Sequence, residues 1–131
     1  LHDSLLRVHR DYAPRRIYIA ENGAAYDDPA DADGRIADPR RIFYLREHLL
    51  AARRAMADGV PLAGYFTWSL LDNFEWGFGY GKKFGLFAVA DGTHRRIPKD
   101  SAFWYREVVA ARAVDEEALA PTRGEPRAFD P

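Results

Sequence analysis

Two short runs of β-branched and aromatic residues, Arg16 to Ala20 and Leu62 to Leu71, read as buried strands, and a helical pattern lies before, between and after them. The first helix covers Leu1 to Tyr12, with Leu1, Leu5 and Val8 on one face. Ala13-Pro14 breaks it, because proline's ring and missing N–H cannot continue a helix. The second starts at Asp38-Pro39, an N-cap acid followed by proline at the first helical position. It carries Ile42, Leu45, Leu49, Leu50 and Met56 and stops near Asp58-Gly59. The third covers Pro98 to Ala113, with Phe103, Trp104, Val108 and Val109 expected to face inward. Strands that alternate with helices of this length make parallel βα units, and two parallel strands cannot close a sheet by themselves. The chain is therefore expected to be a slice of a larger α/β protein, for which a (β/α)8 barrel of roughly 250 residues or more is the natural candidate.

The segments between these elements read as loops. Tyr26 to Asp38 is rich in aspartate and interrupted by proline and glycine, which marks a solvated surface loop. Phe84 to Val89 can add a short strand, with Asp91-Gly92 as a hairpin turn. Residues 1–113 are expected to form the folded part, and 114–131, acidic and then rich in Pro, Arg and Gly, a flexible tail. Net charge is -1, with 19 basic residues scattered among 20 acids, so there is no basic footprint for nucleic acid and no polybasic membrane patch. No apolar run approaches the length of about 20 residues that a membrane span requires. Cysteine is absent, which excludes disulfides and thiolate metal sites and suits a reducing cytoplasm. His2, His9, His48 and His94 share no face and read as solvated. Asp27, Asp28, Asp31 and Asp33 lack the glycine and glutamate spacing of a calcium-binding EF-hand loop, so no metal is expected there.

Two places can carry chemistry. Glu21 lies one residue past the first strand, where a barrel presents its catalytic face, and a carboxylate held on a rigid strand end is suited to attack an anomeric carbon. Glu21-Asn22-Gly23 can equally be a polar turn that ends a strand. The second place is Trp68-Ser69-Leu70-Leu71-Asp72-Asn73-Phe74-Glu75-Trp76, where two tryptophans bracket a carboxylate. Indole faces pack against the C–H faces of a sugar ring, and a carboxylate accepts paired hydrogen bonds from neighbouring hydroxyls. A core tryptophan beside a surface acid is the plainer alternative.

Together these segments resemble glycoside hydrolase family 1. Ile17-Tyr18-Ile19-Ala20-Glu21-Asn22-Gly23 is similar to that family's nucleophile motif, with Ala20 where Thr is usual. Trp68 to Trp76 is similar to its Trp-Ser-Leu-Leu-Asp-Asn-Phe-Glu-Trp segment at every position. Lys83-Phe84-Gly85-Leu86 and Arg96-Ile97-Pro98-Lys99-Asp100-Ser101 resemble its next stretches, and the likeness runs from about Leu1 to Val109. The resemblance implies the C-terminal portion of a (β/α)8 barrel, about strands 7 and 8 with their flanking helices, and a retaining β-glucosidase without metal or cofactor. Glu21 would then be the catalytic nucleophile, Trp68 the floor of the sugar site, Glu75 the partner of the 4- and 6-hydroxyls and Trp76 that of the 3-hydroxyl, with Phe84 lining the pocket. The substrate implied is a β-glucoside or a short β-linked oligosaccharide. Ala20 is expected to point away from the site, because side chains alternate along a strand.

Retaining hydrolysis needs two carboxyl groups about 5–5.5 Å apart. The family's acid/base lies in an Asn-Glu-Pro motif upstream of the nucleophile, and no such motif occurs here; Gly124-Glu125-Pro126 stands in the tail, after the other motifs. These 131 residues are accordingly expected to be a fragment that is inactive by itself. Two further readings remain open: a non-catalytic sugar-binding remnant, and a relative that cleaves 6-phospho-β-glycosides, for which Lys82 and Lys83 stand near the second motif while Glu75-Trp76 argue against it.

Overall fold

The computed structural model describes residues 1–114. Three helices and two small sheets follow in the order α1 (His2–Tyr12), β1 (Ile17–Asn22), α2 (Pro39–Ala57), β2 (Leu62–Thr67), β3 (Phe87–Val89), β4 (Arg96–Pro98) and α3 (Asp100–Ala111). The expected tail falls, Val114 apart, outside the described residues, and Val114 packs against the core beside α3.

Helix α1 ends where the sequence breaks it: Ala13 takes a left-handed conformation and donates its N–H to the His9 carbonyl before Pro14. β1 and β2 pair in parallel, from Ile17 beside Leu62 to Asn22 beside Thr67, and α2 crosses between them. One face of this pair is closed by helices. Leu5 of α1, Ile19 of β1, Ala52 and Ala55 of α2 and Val60 form one core, with Ile17, Leu62 and Tyr65 packed against it. The other face is open: Tyr18 is 54% and Phe66 59% exposed. A second core joins Ile42 and Leu45 of α2 to Leu86, just before β3, and to Ala102 and Trp104 of α3. Ile42 and Leu45 are each 1% exposed, and full burial of such a side chain contributes about 1.5–3 kcal/mol. Two parallel strands with one bare face and no further strand on either side, among the described residues, are what a part of a barrel leaves.

Several expectations need correction. β2 stops at Thr67 instead of Leu71, because residues 69–72 turn to bond Phe84, Leu86 and Phe87. The added strand starts at Phe87 instead of Phe84, while the expected Asp91-Gly92 hairpin forms and pairs it antiparallel with β4, with Gly92 at positive φ. Met56 and Val109 are 53% and 59% exposed, and Val8 is 40% exposed. Three histidines are less free than expected. His2 bonds Asp3 and Asp58, His48 bonds the Tyr44 carbonyl and stacks on its ring, and His9 keeps Nδ1 buried with no hydrogen-bond partner.

Asp38 is the N-cap residue of α2, but its carboxylate does not cap that helix. It is fully buried, accepts the Ser101 N–H at 2.8 Å and the Ser101 hydroxyl at 2.5 Å, and so caps α3 from the helix before it.

Candidate active site

Glu21 owes its direction to an irregularity in β1. Between Ile19 and Asn22 the strand takes three steps, while β2 takes two from Tyr65 to Thr67. In a regular strand Glu21 would share the face of Ile19, which is buried under the helices. The extra residue shifts the phase by one, so that Asn22 falls on the helix side and Glu21 is exposed on the open side. Asn22 confirms the phase: its Oδ1 accepts the Tyr65 hydroxyl at 2.6 Å from the helix-side core. The same bulge undoes the argument made for Ala20. Ala20 and Glu21 are both exposed, so strict alternation does not hold at this strand end.

The two strand ends are locked together. The Trp68 N–H donates to the Asn22 carbonyl at 2.9 Å, and the Thr67 hydroxyl donates to the same oxygen at 3.4 Å. Gly23 sits so close to the second strand that a Cβ on it would stand 1.7 Å from the Trp68 carbonyl oxygen. Only glycine fits there. The Trp68–Ser69 peptide is cis. Beyond it, the Trp68 indole N–H donates to Glu75 Oε1 at 3.2 Å, which brings the tryptophan and the acid of the second motif into contact. Trp68 is 36% exposed and Trp76 84%, with Trp76 at positive φ in a 3₁₀ turn over Trp76–Phe78. The Glu75 N–H donates to the Gly79 carbonyl at 2.7 Å and closes this loop. Phe84 is half-buried, and its carbonyl accepts the Ser69 N–H at 3.3 Å, which places it beside the start of the Trp68 loop.

A buried ionic frame lies under these loops, and the sequence did not announce it. Arg41, 2% exposed, donates to Asp38 at 2.8 Å, Asp28 at 2.6 Å, the Ala24 carbonyl at 2.6 Å, the Lys83 carbonyl at 3.0 Å and the Phe84 carbonyl at 3.2 Å. One guanidinium thus ties the loop after β1 to the segment that carries Phe84. Asp28 is no part of a solvated loop: its side chain is 4% exposed against Arg41. Lys99, 1% exposed, pairs with Asp72 at 3.2 Å, and the same Asp72 oxygen accepts the Gly85 N–H at 2.8 Å. Burial, with Arg41 nearby, pushes the Lys99 ammonium below its ordinary value, and Asp72 opposes that shift. Arg41, Asp72 and Lys99 look in the sequence like surface charges, because a buried pair spread over distant segments leaves no local pattern.

Glu21 and the tryptophan–glutamate loop follow two neighbouring parallel strands, and parallel βα units of this kind belong to an α/β-barrel protein. The model of the family described as glycosyl hydrolase family 1 matches residues 1–114, and the chain belongs to that family. It is 50% identical over 112 residues to β-glucosidase A of Thermotoga maritima, an alignment that covers 86% of this chain and 25% of that protein. It is 44% identical over 115 residues to a 6-phospho-β-galactosidase of Streptococcus equi subsp. zooepidemicus, covering 87% of this chain and 24% of that protein. The solved family 1 β-glucosidase from Thermotoga maritima superposes with a TM-score of 0.86 at 49% identity, over 88% of this chain and 26% of that one. The same enzyme has also been solved with isofagomine lactam and with castanospermine. The chain thus spans about a quarter of the length of the relatives it matches. The expected fold class, part of a (β/α)8 barrel, stands. No helix among the described residues is long and apolar enough to cross a membrane.

Proposed function

We propose that these residues are the part of a retaining β-glycosidase that supplies its nucleophile, and that the complete enzyme hydrolyses terminal β-D-glucosides. The observation that carries this reading is the bulge in β1, which turns Glu21 out of the helix-side core onto the open face of the sheet. Regular alternation would bury the Glu21 carboxylate among apolar side chains under the helices, and the bulge instead leaves it free for a displacement at a sugar carbon. The Glu21 carboxylate attacks the anomeric carbon, the bond from that carbon to the leaving oxygen breaks, and the oxygen takes a proton from an acid on another strand of the barrel. Water then attacks the anomeric carbon, gives its proton to the same group and frees Glu21. Trp68 offers an indole face to the sugar and its N–H to Glu75, which leaves the second Glu75 oxygen for hydroxyls; Trp76 and Phe84 complete the wall. The cysteine-free composition suits work in the cytoplasm.

Replacement tests this in the complete protein. Glu21→Ala is expected to lose turnover of an aryl β-glucoside by at least roughly a thousandfold. Added azide should restore turnover and yield the α-glucosyl azide, since a small anion then attacks from the vacated side. Normal turnover by Glu21→Ala sinks the assignment. The likeness to 6-phospho-β-galactosidases supplies a second reading for the substrate. The charges here favour the neutral sugar: Glu75 places a negative group beside Trp68, and the Lys82 ammonium lies over the Phe78 ring at 5.5 Å. A preference for the 6-phosphoglucoside in side-by-side assays would reverse that choice.

A further inference from the structure

We propose that Tyr65 is a positioning residue for the nucleophile: its hydroxyl holds the Asn22 side chain on the helix side of the sheet, and that hold keeps Glu21 turned to the open face. The inference rests on the reading of Glu21 as nucleophile and adds to it the means by which the carboxylate is aimed.

The direction of Glu21 depends on a single extra residue in β1. A slip of one residue along a strand carries every side chain to the other face, so the bulge must be specified by something that recognises one phase and not the other. Backbone bonds do this poorly, because each strand residue offers the same N–H and C=O. The Trp68 N–H and the Thr67 hydroxyl grip the Asn22 carbonyl and would grip the carbonyl of another residue as readily. The Tyr65 hydroxyl is different. It donates to the Asn22 side chain itself at 2.6 Å, and that bond exists only when Asn22 faces the helices. Neither neighbour of Asn22 could replace it: Gly23 has no side chain, and a carboxylate at position 21 would have to enter the core formed by Leu5, Ile19, Ala52, Ala55 and Val60.

Tyr65 is suited to the task. Its ring packs against that core, which fixes where the hydroxyl stands. Burial, with Tyr105 and Tyr44 nearby, pushes the hydroxyl far above its ordinary range, so it remains a donor wherever an enzyme works. Tyr44 lies beside the same amide: burial raises its hydroxyl, and the Asn22 side chain draws it back. The Asn22 amide is thus enclosed by phenols from β2 and α2. In the sequence Tyr65 reads as one more aromatic of a buried strand, and Asn22 as half of a turn.

The test is covalent labelling of the complete barrel enzyme by a 2-deoxy-2-fluoro-β-glucoside carrying a good leaving group, with the labelled peptide identified by mass. Tyr65→Phe removes one oxygen and keeps the ring, so the core stays filled. The saturating rate of labelling at Glu21 is expected to fall on the order of 10–100-fold, because small misplacements of a reacting group cost that much, while the half-saturating concentration stays within about threefold. Asn22→Ala removes this bond together with the Tyr44 contact and should lose at least as much, and the double variant no more than Asn22→Ala alone. Val60→Ala weakens the same core without touching Asn22, and should lower the thermal midpoint and leave the labelling rate unchanged. Wild-type labelling by Tyr65→Phe overturns the proposal, and so does an equal slowing by Val60→Ala. If the parent enzyme is labelled elsewhere than Glu21, the nucleophile reading fails first and this inference falls with it, an outcome distinct from the other two.

Discussion

Around Glu21 the backbone leaves almost no room for adjustment, and around Trp76 it leaves a good deal. Asn22 is gripped by Trp68, Thr67 and Tyr65, Gly23 touches the Trp68 carbonyl, and Arg41 holds the Ala24 carbonyl from below. The arm from Phe74 to Tyr80 is built otherwise. Phe74, Trp76, Phe78 and Tyr80 are 54%, 84%, 71% and 69% exposed, and the arm is held by short loop bonds, the Trp68–Glu75 bond at 3.2 Å, the Lys82 ammonium over the Phe78 ring and an edge contact between Phe74 and Tyr80 at 5.5 Å. The contrast follows from the chemistry proposed for each half. An atom that must form a bond tolerates little displacement, whereas a ring that covers a sugar face can shift and still cover it. Changes in the first half should therefore cost folding or turnover, and changes in the second should cost affinity.

The largest effect belongs to Gly23→Ala. The new methyl would meet backbone, with the Trp68 carbonyl oxygen at 1.7 Å and its carbon at 2.8 Å, and backbone cannot swing aside as a side chain does. The strand ends would have to part, which breaks the Trp68–Asn22 bond as well. A loss of more than about 4 kcal/mol is expected, read as a large fall in the denaturation midpoint of the complete protein. A Gly23→Ala protein as stable as its parent would mean that the strand-end half is not rigid in the sense argued.

Arg41→Met comes next. It leaves Asp28 and Asp38 buried without their cation, together with three carbonyls, and one-sided removal of a buried charge typically costs about 3–5 kcal/mol. Asp28→Asn keeps an acceptor for the guanidinium and should cost less, about 1–3 kcal/mol. If Arg41→Met unfolds at the same denaturant concentration as the parent, the frame does not tie the two loops together.

Trp76→Ala is expected to be smaller and of a different kind. An indole 84% exposed has little packing to lose, so stability should stay within about 0.5 kcal/mol of the parent. KM for a β-glucoside should rise roughly tenfold, or about 1.4 kcal/mol, with kcat changed less. A fall in kcat with KM unmoved would put Trp76 with the rigid half and erase the contrast.

The contrast also marks what the sequence could show. Helix and strand order was legible because it is periodic or punctuated: Ala13-Pro14, Asp38-Pro39 and Asp58-Gly59 stop or start elements within a residue or two of where sequence places them. Glu21 and the Trp68–Glu75 segment stood out through their resemblance to family motifs, since the residue types alone left a polar turn and a core tryptophan as open readings. The bulge was not, since Ile19-Ala20-Glu21-Asn22 carries no glycine or proline to mark an extra residue. The ionic frame was not either. Asp28 lies among other aspartates and reads as solvated until Arg41, 13 positions away, is seen beside it. Asp38 shows the same limit within one residue: its place at the start of α2 was foreseen, while the partner it caps, Ser101, lies 63 positions on. Pairing across such distances depends on how the strands bring helices together, which no local pattern records.

The smallest effect tests whether both halves are independent of a third contact. His2 at the start of α1 bonds Asp58 at the end of α2 at 2.7 Å and its neighbour Asp3 at 2.8 Å. Those two carboxylates, Asp58 first, raise the imidazole above its ordinary 6.5. A raised value means that the folded state binds the proton more tightly than the unfolded one. The stabilisation is therefore complete below the unfolded value and disappears as pH climbs through the folded one. His2→Gln removes the titration, so the parent should be the more stable of the two near pH 6, with the difference gone by about pH 9. The gain is modest, because the pair is exposed and salt screens it. Since this clasp joins helix ends and touches neither Glu21 nor Trp76, kcat and KM for the β-glucoside should be the same in both proteins at every pH. A pH-dependent difference in kcat between them would show that the strand-end half borrows its rigidity from the outer helices, and not only from Asn22, Gly23 and Arg41.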